Sequence, residues 1–389
     1  MALAGDLMFP SPKVSFVVPC YNLGHLLPEC VNSILNQTYR DFEVLIMDDC
    51  SPDNTESVAK SFKDPRVFHV RNDHNLGHLC NYNKGITMSR GEYVWLISAD
   101  DYLRKPYILE RYVELMESHP AVGYACCSGV SVKNGEETEV LKYSVYDTCD
   151  RIVNGRTFLK RLLNQNIVLA ASAMARRECY EKISLFPLKA SWGERPVDMG
   201  WIGDWYLWCM FALFTDVAYF AEPMVSYREH DLSMTETVTR QENIERCSES
   251  EIGMLWMIRN KARELGLSEV CADCLSAVAY AYAQHCASKQ YRRSVSSMTI
   301  DQFEQSLVRS TDNEQERNWI RARFFAGIAD EQRVRGDSST ATRFYLTGLK
   351  RDPRMPKVYV KLLLIHLGKP GEYLLSVLRS LRVVCRSIM

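Results

Sequence analysis

Short hydrophobic runs alternate with helix-patterned segments through the first hundred residues, and this alternation restricts the fold more than any other feature of the sequence. Four such runs occur, at residues 14–18 (VSFVV), 42–47 (FEVLIM), 67–70 (VFHV) and 93–97 (YVWLI). Strands that alternate with helices are typical of βαβ units, in which the strands lie parallel in one buried sheet. The sequence therefore predicts an α/β fold with a mainly parallel central sheet.

Polar or acidic residues follow three of these predicted strands, at residues 19–21 (PCY), 48–49 (DD) and 100–101 (DD). Ligands of open parallel sheets bind at the carboxyl ends of the strands, so we expect these residues to converge on a binding site. Carboxylates gathered there repel one another unless a cation or strong hydrogen-bond donors lie between them. A divalent metal is the simplest partner, and oxygen ligands suit Mg²⁺ or Mn²⁺.

Glycine-rich phosphate-binding loops do not follow any predicted strand, since neither G-x-x-x-x-G-K-[ST] nor G-x-G-x-x-G occurs. This argues against kinases and dehydrogenases. It also suggests that a metal ion, rather than a loop, neutralises a bound diphosphate. The net charge of −1 gives no indication of a nucleic-acid partner.

The length of 389 residues exceeds the usual size of one domain. From about residue 240 the sequence consists of long segments with helical periodicity and contains no predicted strands. We therefore predict an α/β domain at residues 1–239 and an all-α domain at residues 240–389. Within the second, the spacing of apolar and small residues predicts one tetratricopeptide-like hairpin at about 322–355.

The C-terminal segment, residues 371–389, has the pattern of a basic amphipathic helix. Residues 343–389 hold ten Lys or Arg and two Asp or Glu. The segment either closes the helical domain or lies on an anionic membrane surface, and the sequence leaves both readings open.

Targeting signals are not indicated, because residues 1–13 lack a basic start followed by an apolar run and no stretch of about 18 apolar residues occurs.

The 14 cysteines are scattered through apolar runs, which favours reduced core thiols. Cys271 and Cys274 form a C-x-x-C, but the surrounding text favours buried helix cysteines over a metal site. We expect a cytoplasmic protein.

Six motifs, in order along the chain, resemble those of the family 2 glycosyltransferases with the GT-A fold. They lie at residues 14–22 (VSFVVPCYN), 33–55 (SILNQTYRDFEVLIMDDCSPDNT), 71–86 (RNDHNLGHLCNYNKGI), 91–101 (GEYVWLISADD), 203–212 (GDWYLWCMFA) and 227–235 (YREHDLSMT). The resemblance covers roughly residues 12–236. It implies a GT-A nucleotide-sugar-binding domain that catalyses metal-dependent, inverting sugar transfer.

The same resemblance implies a nucleotide site. Three residues would line the base and ribose: Pro19, Tyr21 and Asp49. Three more would lie near the nucleotide: Asn75, Gly77 and Asn83. A turn followed by a helix N-terminus explains Asn75 and Gly77 equally well, and a packed loop aromatic is the alternative for Tyr21.

The metal motif of the family, D-x-D, begins here with Ser98, which is a weak ligand. The resemblance therefore assigns the metal to Asp100, with Asp101 as a contact to ribose, donor or metal and His230 completing the metal or diphosphate site. A helix N-cap pair is the alternative for Asp100 and Asp101. An ordinary surface or core histidine is the alternative for His230.

Asp204 occupies the position at which the family carries its catalytic base. A carboxylate there would take the proton of the acceptor hydroxyl, and it could also cap the helix that it precedes. Glu194 and Asp198 are weaker candidates for the base. Four tryptophans crowd the region and could pack against sugar rings: Trp192, Trp201, Trp205 and Trp208. The helical spacing of Trp208 favours a place in the core.

The resemblance implies the transfer of a hexosyl or N-acetylhexosaminyl group from a nucleotide diphosphate sugar, UDP-sugar favoured. The acceptor would be a hydroxyl of a cell-surface glycan or of a lipid-linked precursor such as that of lipopolysaccharide, at the inner face of the membrane. A nucleotidyltransferase would need a basic glycine-rich loop after the first strand, which the chain lacks. A decayed transferase that serves as a binding protein is the other alternative, and Ser98 is the feature that favours it.

Overall fold

The computed structural model describes residues 11–192, 195–230, 233, 241–287 and 299–367. The chain divides into two compact units, one formed by Met1–Ala190 with Asp198–Val238 and the other by Ser191–Val197 with Thr239–Met389. The predicted basic helix at residues 371–389 lies outside the described residues.

A ten-stranded sheet forms the centre of the first unit. Its strands are β1 (Val14–Cys20), β2 (Phe42–Asp48), β3 (Val67–Arg71), β4 (Tyr93–Leu96), β5 (Tyr102–Leu103), β6 (Val122–Lys133), β7 (Glu136–Val140), β8 (Arg151–Val153), β9 (Met174–Arg176) and β12 (Asp216–Arg228). Two further strands, β10 (Lys189–Trp192) and β11 (Arg195–Asp198), pair with each other in a separate small sheet.

The order across the large sheet is β3-β2-β1-β4-β9-β6-β12-β5, with β7 paired to β6 and β8 to β12. Strands β3, β2, β1 and β4 are mutually parallel. Strand β9 is antiparallel to both of its neighbours, so β6 and its parallel partner β12 run in the same direction as the first four. The predicted fold class, α/β with a mainly parallel sheet followed by helices, is confirmed.

Seven helices accompany these strands within the described part of the first unit. They are α1 (Leu27–Leu35), α2 (Thr55–Ser61), α3 (His78–Met88), α4 (Ile108–Ser118), α5 (Gly155–Leu162), α6 (Arg177–Ile183) and α7 (Gly203–Phe214). Strand β1 continues two residues past the predicted run because Pro19 and Cys20 stay in register with Met47 and Asp48 of β2, and the Pro19 carbonyl also accepts a hydrogen bond from the Ala99 amide (3.1 Å). Proline lacks a donor but keeps this acceptor.

Aromatic side chains fill the core on one face of the sheet. The ring of Trp95 stacks on Phe16 at 5.5 Å between centroids and lies 4.5 Å from Tyr112 of α4. Its indole N–H donates to the Ala171 carbonyl (2.7 Å), so burial leaves that polar group satisfied. Each fully buried side chain of this size contributes about 1.5–3 kcal/mol, which fixes the sheet against the helices.

Apart from the described residues of Ser191–Val197, which belong to β10 and β11, the described part of the second unit is helical, as the predicted fold class requires. Its described helices are α8 (Gln241–Glu264), α9 (Ser268–Ala287), α10 (Ile300–Ser310), α11 (Glu314–Val334), α12 (Ser338–Arg351) and α13 (Pro356–His366). The hairpin predicted at 322–355 falls on α11 and α12, which approach closely where Gly348 faces the Ala322 carbonyl, 2.7 Å from where a Cβ would stand. Among the residues described, no helix has the length and apolar character needed to cross a membrane.

Candidate active site

The carboxyl ends of β1, β2, β3 and β4 meet at one edge of the sheet. Backbone hydrogen bonds continue past the strands: the Ala99 amide donates to Pro19, the Asp49 amide to Cys20 (2.9 Å) and the Asn72 amide to Asp48 (2.9 Å). The polar residues that follow these strands are therefore neighbours, as the parallel topology predicts.

Strand β5 pairs with β12, and this places Asp100 and Asp101, which precede β5, next to His230, which follows β12. Ser226 of β12 lies opposite Tyr102 of β5. Beyond this pair, the Arg228 amide donates to Asp101 Oδ1 (3.1 Å), and the Arg228 Nε–H donates to the Asp100 carbonyl (3.1 Å). His230 then lies with its Nε2 3.0 Å from Asp100 Oδ2.

Asp100 and His230 fit a divalent cation. Asp100 Oδ1 is buried and has no hydrogen-bond partner among the described residues, so it keeps lone pairs available for a ligand. Within the described chain, no three His, Cys, Asp or Glu side chains cluster as ligands of one ion. A two-residue set still suits Mg²⁺ or Mn²⁺ at a diphosphate, because such ions take their remaining ligands from phosphate oxygens and water.

Asp101 differs from Asp100 in its surroundings. It is buried, and burial together with the negative charge of Asp100 raises its pKa well above the usual range of a carboxyl. The carbonyl of Ser98 accepts from the Asp101 amide (3.0 Å) and from the Cys30 thiol (3.5 Å). The metal contact predicted for Asp101 remains a prediction.

Asp49 organises the loop between β3 and α3. Its Oδ1 accepts from the Asn72 side-chain amide (2.8 Å) and the Leu76 backbone amide (2.8 Å), while its Oδ2 accepts from the Gly77 amide (3.0 Å). The Asn75 side chain also accepts from the Gly77 amide (2.9 Å), which closes a turn. The structure thus gives Asp49, Asn75 and Gly77 a common role in shaping this loop.

Gly77 has φ +80° and ψ 152°, a backbone conformation that is essentially restricted to glycine. It immediately precedes α3, so the backbone turns sharply into the helix. Of the other residues predicted at the nucleotide, Pro19 is buried in β1 and Tyr21 is exposed beyond it. An exposed ring next to the strand ends is available to a planar ligand.

Asn83 is occupied elsewhere. Its side-chain N–H donates to the Phe186 carbonyl (2.9 Å), and its Oδ1 accepts from the Phe186 amide (2.9 Å). This reciprocal pair joins α3 to the segment after α6. The nucleotide contact predicted for Asn83 remains a prediction, and the side chain already has a structural role.

Asp204 is the second residue of α7. Burial raises the pKa of its carboxyl, while the Trp205 backbone amide, the Asn166 side chain and the charge of His78 act in the opposite direction. The Asn166 Nδ2–H donates to Asp204 Oδ2 (3.1 Å). A carboxyl whose pKa is raised in this way is suited to general base chemistry near neutral pH.

Two tyrosines, Tyr82 and Tyr143, are affected by the charges of both the metal-binding candidates and Asp204. Burial raises the pKa of Tyr82, and the negative charges of Asp100, Asp204 and Asp101 raise it further. Tyr143 is 43% exposed, yet partial desolvation and then the charges of Asp101, Asp204 and Glu229 raise its pKa as well. The three aspartates therefore all act on Tyr82, and the start of α7 packs on α3, where a Cβ on Gly203 would stand 2.9 Å from Leu79. Sequence reasoning missed Tyr82 and Tyr143.

The remaining candidates lie around α7. The Asp198 carboxylate accepts from the Gly200 amide (2.8 Å). The Trp205 indole donates to the Leu162 carbonyl (2.8 Å), and Trp208 is buried against Tyr124, as its spacing predicts. Trp201 is half-buried. Glu194 lies outside the described residues, as does the side chain of Trp192.

Comparison with protein families matches residues 15–184 to Glycosyl transferase family 2. Among curated proteins, Glycosyltransferase GlyG of Streptococcus pneumoniae is 36% identical over 109 residues, which are 28% of this chain and 36% of GlyG. The uncharacterized glycosyltransferase RT0329 of Rickettsia typhi is 25% identical over 236 residues, 59% of this chain and 68% of that protein. The match therefore spans about a third of GlyG and two thirds of RT0329.

Solved structures give a likeness that extends over most of the chain. Residues 1–349 of S. aureus TarS align with a TM-score of 0.56 at 16% identity, covering 87% of this chain and 90% of that chain. The complex of the same TarS fragment with UDP-GlcNAc aligns with a TM-score of 0.55 at 17% identity. At this level of identity the likeness establishes a shared fold.

Proposed function

We propose that this chain, in which residues 15–184 match Glycosyl transferase family 2, transfers a sugar from a nucleotide diphosphate sugar to an acceptor hydroxyl. The observation that carries the proposal is the pairing of Asp100 with His230 at the strand-end edge (3.0 Å), with Asp204 next to Gly203 at the start of α7, where that helix packs on Leu79 of α3. One carboxylate has an unpartnered buried oxygen suited to a cation, and the other has the raised pKa of a base.

On the donor side, Asp100 and His230 would hold Mg²⁺ or Mn²⁺, with Asp101 behind them. When bound, the cation would neutralise charge on the diphosphate leaving group. Tyr21 would offer its exposed ring to the base, and Pro19 would border the same pocket. The loop shaped by Asp49, Asn75 and Gly77 would close over the nucleotide.

On the acceptor side, Asp204 would act as the general base. Its carboxylate would take the proton from the acceptor hydroxyl while that oxygen bonds to the anomeric carbon. The bond from this carbon to the diphosphate oxygen breaks at the same time, and its electron pair leaves with the nucleotide diphosphate. Attack opposite the leaving group inverts the anomeric centre, and positioned base catalysis of this kind contributes about 10²–10⁴-fold in rate.

The donor proposed first is a UDP-sugar carrying a hexosyl or N-acetylhexosaminyl group, because a TarS structure of similar fold holds UDP-GlcNAc. The acceptor proposed is a hydroxyl of a cell-surface glycan or lipid-linked precursor, met on the cytoplasmic side. Contact of residues 371–389 with the membrane would suit such an acceptor. Flotation of the full chain with vesicles containing anionic lipid tests that contact, and absence from the vesicle fraction would contradict it.

Calorimetric titration with UDP, GDP and dTDP, each with and without Mn²⁺, tests the donor site. We expect one nucleotide to bind wild type tightly in the presence of metal. In Asp100→Ala, the increase in affinity that the metal provides should be lost. Asp204→Asn should bind that nucleotide as wild type does but lose sugar transfer by about 10²–10⁴-fold.

Two outcomes would contradict the proposal in different ways. Absence of binding by any nucleotide would refute the donor site. Tight, metal-dependent binding without turnover of any donor would favour the decayed transferase, the reading to which Ser98 points. In that case Asp204→Asn and wild type would give the same result in nucleotide binding and in every turnover assay.

A further inference from the structure

The side chain of Asn166 is held in one orientation against Asp204. Its Oδ1 accepts from the Val168 amide (3.1 Å), and its Nδ2–H donates to Asp204 Oδ2 (3.1 Å). Exchanging the two ends of the amide would set an NH₂ group against the Val168 N–H and an oxygen against a carboxylate. The surrounding groups therefore determine that Asn166 presents a donor to Asp204.

The loop that carries Asn166 is fixed to α7 by a second contact. Trp205, the residue after Asp204, donates its indole N–H to the carbonyl of Leu162 at the end of α5 (2.8 Å). Ile167 and Val168, which follow Asn166, are buried. These buried neighbours anchor the backbone at Asn166, and the Val168 amide holds its side chain toward Asp204.

We infer that Asn166 is a positioning residue that fixes the orientation of the Asp204 carboxylate and stabilises its negative charge. The inference rests on the proposed function, in which Asp204 accepts the proton of the acceptor hydroxyl. A base with two possible rotamers would spend part of its time turned away from the substrate. A donor held at one oxygen removes that freedom and favours the ionised form of the base.

Several groups around Asp204 bear on its charge, and Asn166 acts together with them. His78 of α3 contributes a favourable charge, and the Trp205 backbone amide donates at the start of α7. Tyr82 of α3 and Tyr143, in the short helical turn Lys142–Ser144, both lie within electrostatic range. These groups are the same in all variants proposed below, so a difference in the Asp204 pKa between variants can be attributed to the substitution.

Two substitutions separate positioning from loop support. Asn166→Ala removes both hydrogen bonds. Asn166→Asp keeps an acceptor for the Val168 amide but replaces the donor by a second carboxylate beside Asp204. If Asn166 only supported the loop, Asn166→Ala would leave the Asp204 pKa unchanged, because this variant removes the donor without adding a charge. Asn164→Asp is the matched control, because Asn164 donates to the Lys160 carbonyl (2.8 Å) on the exposed side of the same loop.

The pKa of Asp204 in the free full-length protein is the first readout, measured by NMR of ¹³C-carboxyl-labelled aspartate, with its signal identified by its loss in Asp204→Asn. We expect the pKa to rise by about one unit in Asn166→Ala and by more in Asn166→Asp, because two adjacent carboxylates share a proton. Asn164→Asp should leave it unchanged. An unchanged Asp204 pKa in both Asn166 variants would overturn the inference.

The pH dependence of kcat/KM for the donor that wild type turns over is the second readout. The acid limb of the profile should move to higher pH together with the measured pKa of Asp204. At pH values below the limb, kcat/KM of Asn166→Ala should be about tenfold lower than that of wild type, and at pH values above it the two should be equal. A pH-independent loss in both variants would also overturn the inference. If wild type turns over no donor, the proposed function fails, while the NMR titration still decides whether Asn166 controls Asp204.

Discussion

Replacing Asp49 by asparagine is expected to loosen the loop before α3 even when no nucleotide is present. The carboxylate accepts three hydrogen bonds, from Asn72, Leu76 and Gly77, at 2.8–3.0 Å. An asparagine keeps one acceptor oxygen and places an NH₂ group where the other was. At least one N–H would then face another donor, and the bonds that remain would lose their charge assistance.

The magnitude follows from those contacts. A hydrogen bond to a charged group contributes roughly 1.5–3 kcal/mol and a neutral one about 1 kcal/mol. The Gly77 amide keeps its bond to Asn75 (2.9 Å), which offsets part of the loss. We expect the free energy of opening this loop to fall by about 2–3 kcal/mol, which corresponds to roughly 30- to 150-fold faster amide exchange.

Hydrogen–deuterium exchange followed by mass spectrometry, on peptides that cover residues 72–82, measures this opening. Asp73→Asn is the matched control, since it makes the same chemical change at an exposed position in the same loop. Exchange in Asp49→Asn within threefold of wild type would refute the reasoning. Asp49 would then act on the nucleotide alone.

Three other substitutions test further features. Gly77→Ala should cost about 1–3 kcal/mol in thermal denaturation through backbone strain alone, because no atom lies within 4 Å of the added Cβ; an unchanged Tm would contradict this. Burial raises the pKa of Glu251 in α8 to about 7, so its proton stabilises the folded state and that stabilisation falls as pH rises from about 4.5 to 7. Glu251→Gln should therefore be the more stable form at pH 8 and equal wild type below pH 4.5, and parallel Tm–pH curves would argue against a buried neutral carboxyl. Glu43→Gln should lower stability by about 2–4 kcal/mol in urea unfolding, because buried Glu43 binds both Arg90 and Ser15; a loss under 0.5 kcal/mol would show that this network contributes little.

The strand ends could be predicted from the sequence because they depend on local patterns. Hydrophobic runs of four to six residues followed by acids specify both the sheet and the edge at which ligands collect. The motifs also predicted that a helix begins next to Asp204, because an aromatic run at helical spacing follows Gly203. These features need no knowledge of distant contacts.

The supporting residues could not be predicted in this way. Asn166 contacts Asp204 across 38 positions, and Asn83 contacts Phe186 across 103. Nothing in the spacing of either pair indicates the contact, because it depends on how α5 and α6 are placed on the sheet. For the same reason, motif reasoning did not reveal that the Asn83 side chain binds the Phe186 backbone, and it did not single out Tyr82 beside it.

The position of β12 bears on how fragments of this protein should be designed. This strand comes late in the first unit, yet it lies inside the sheet between β6 and β5 and leads to His230. A fragment that stops at residue 184, where the family match ends, would leave the edge of β6 unpaired and open to aggregation. During synthesis, the pairing of Asp100 with His230 must wait until another 130 residues have been made. Expression of a shortened first unit should therefore keep the whole of β12 and the residues through at least 233.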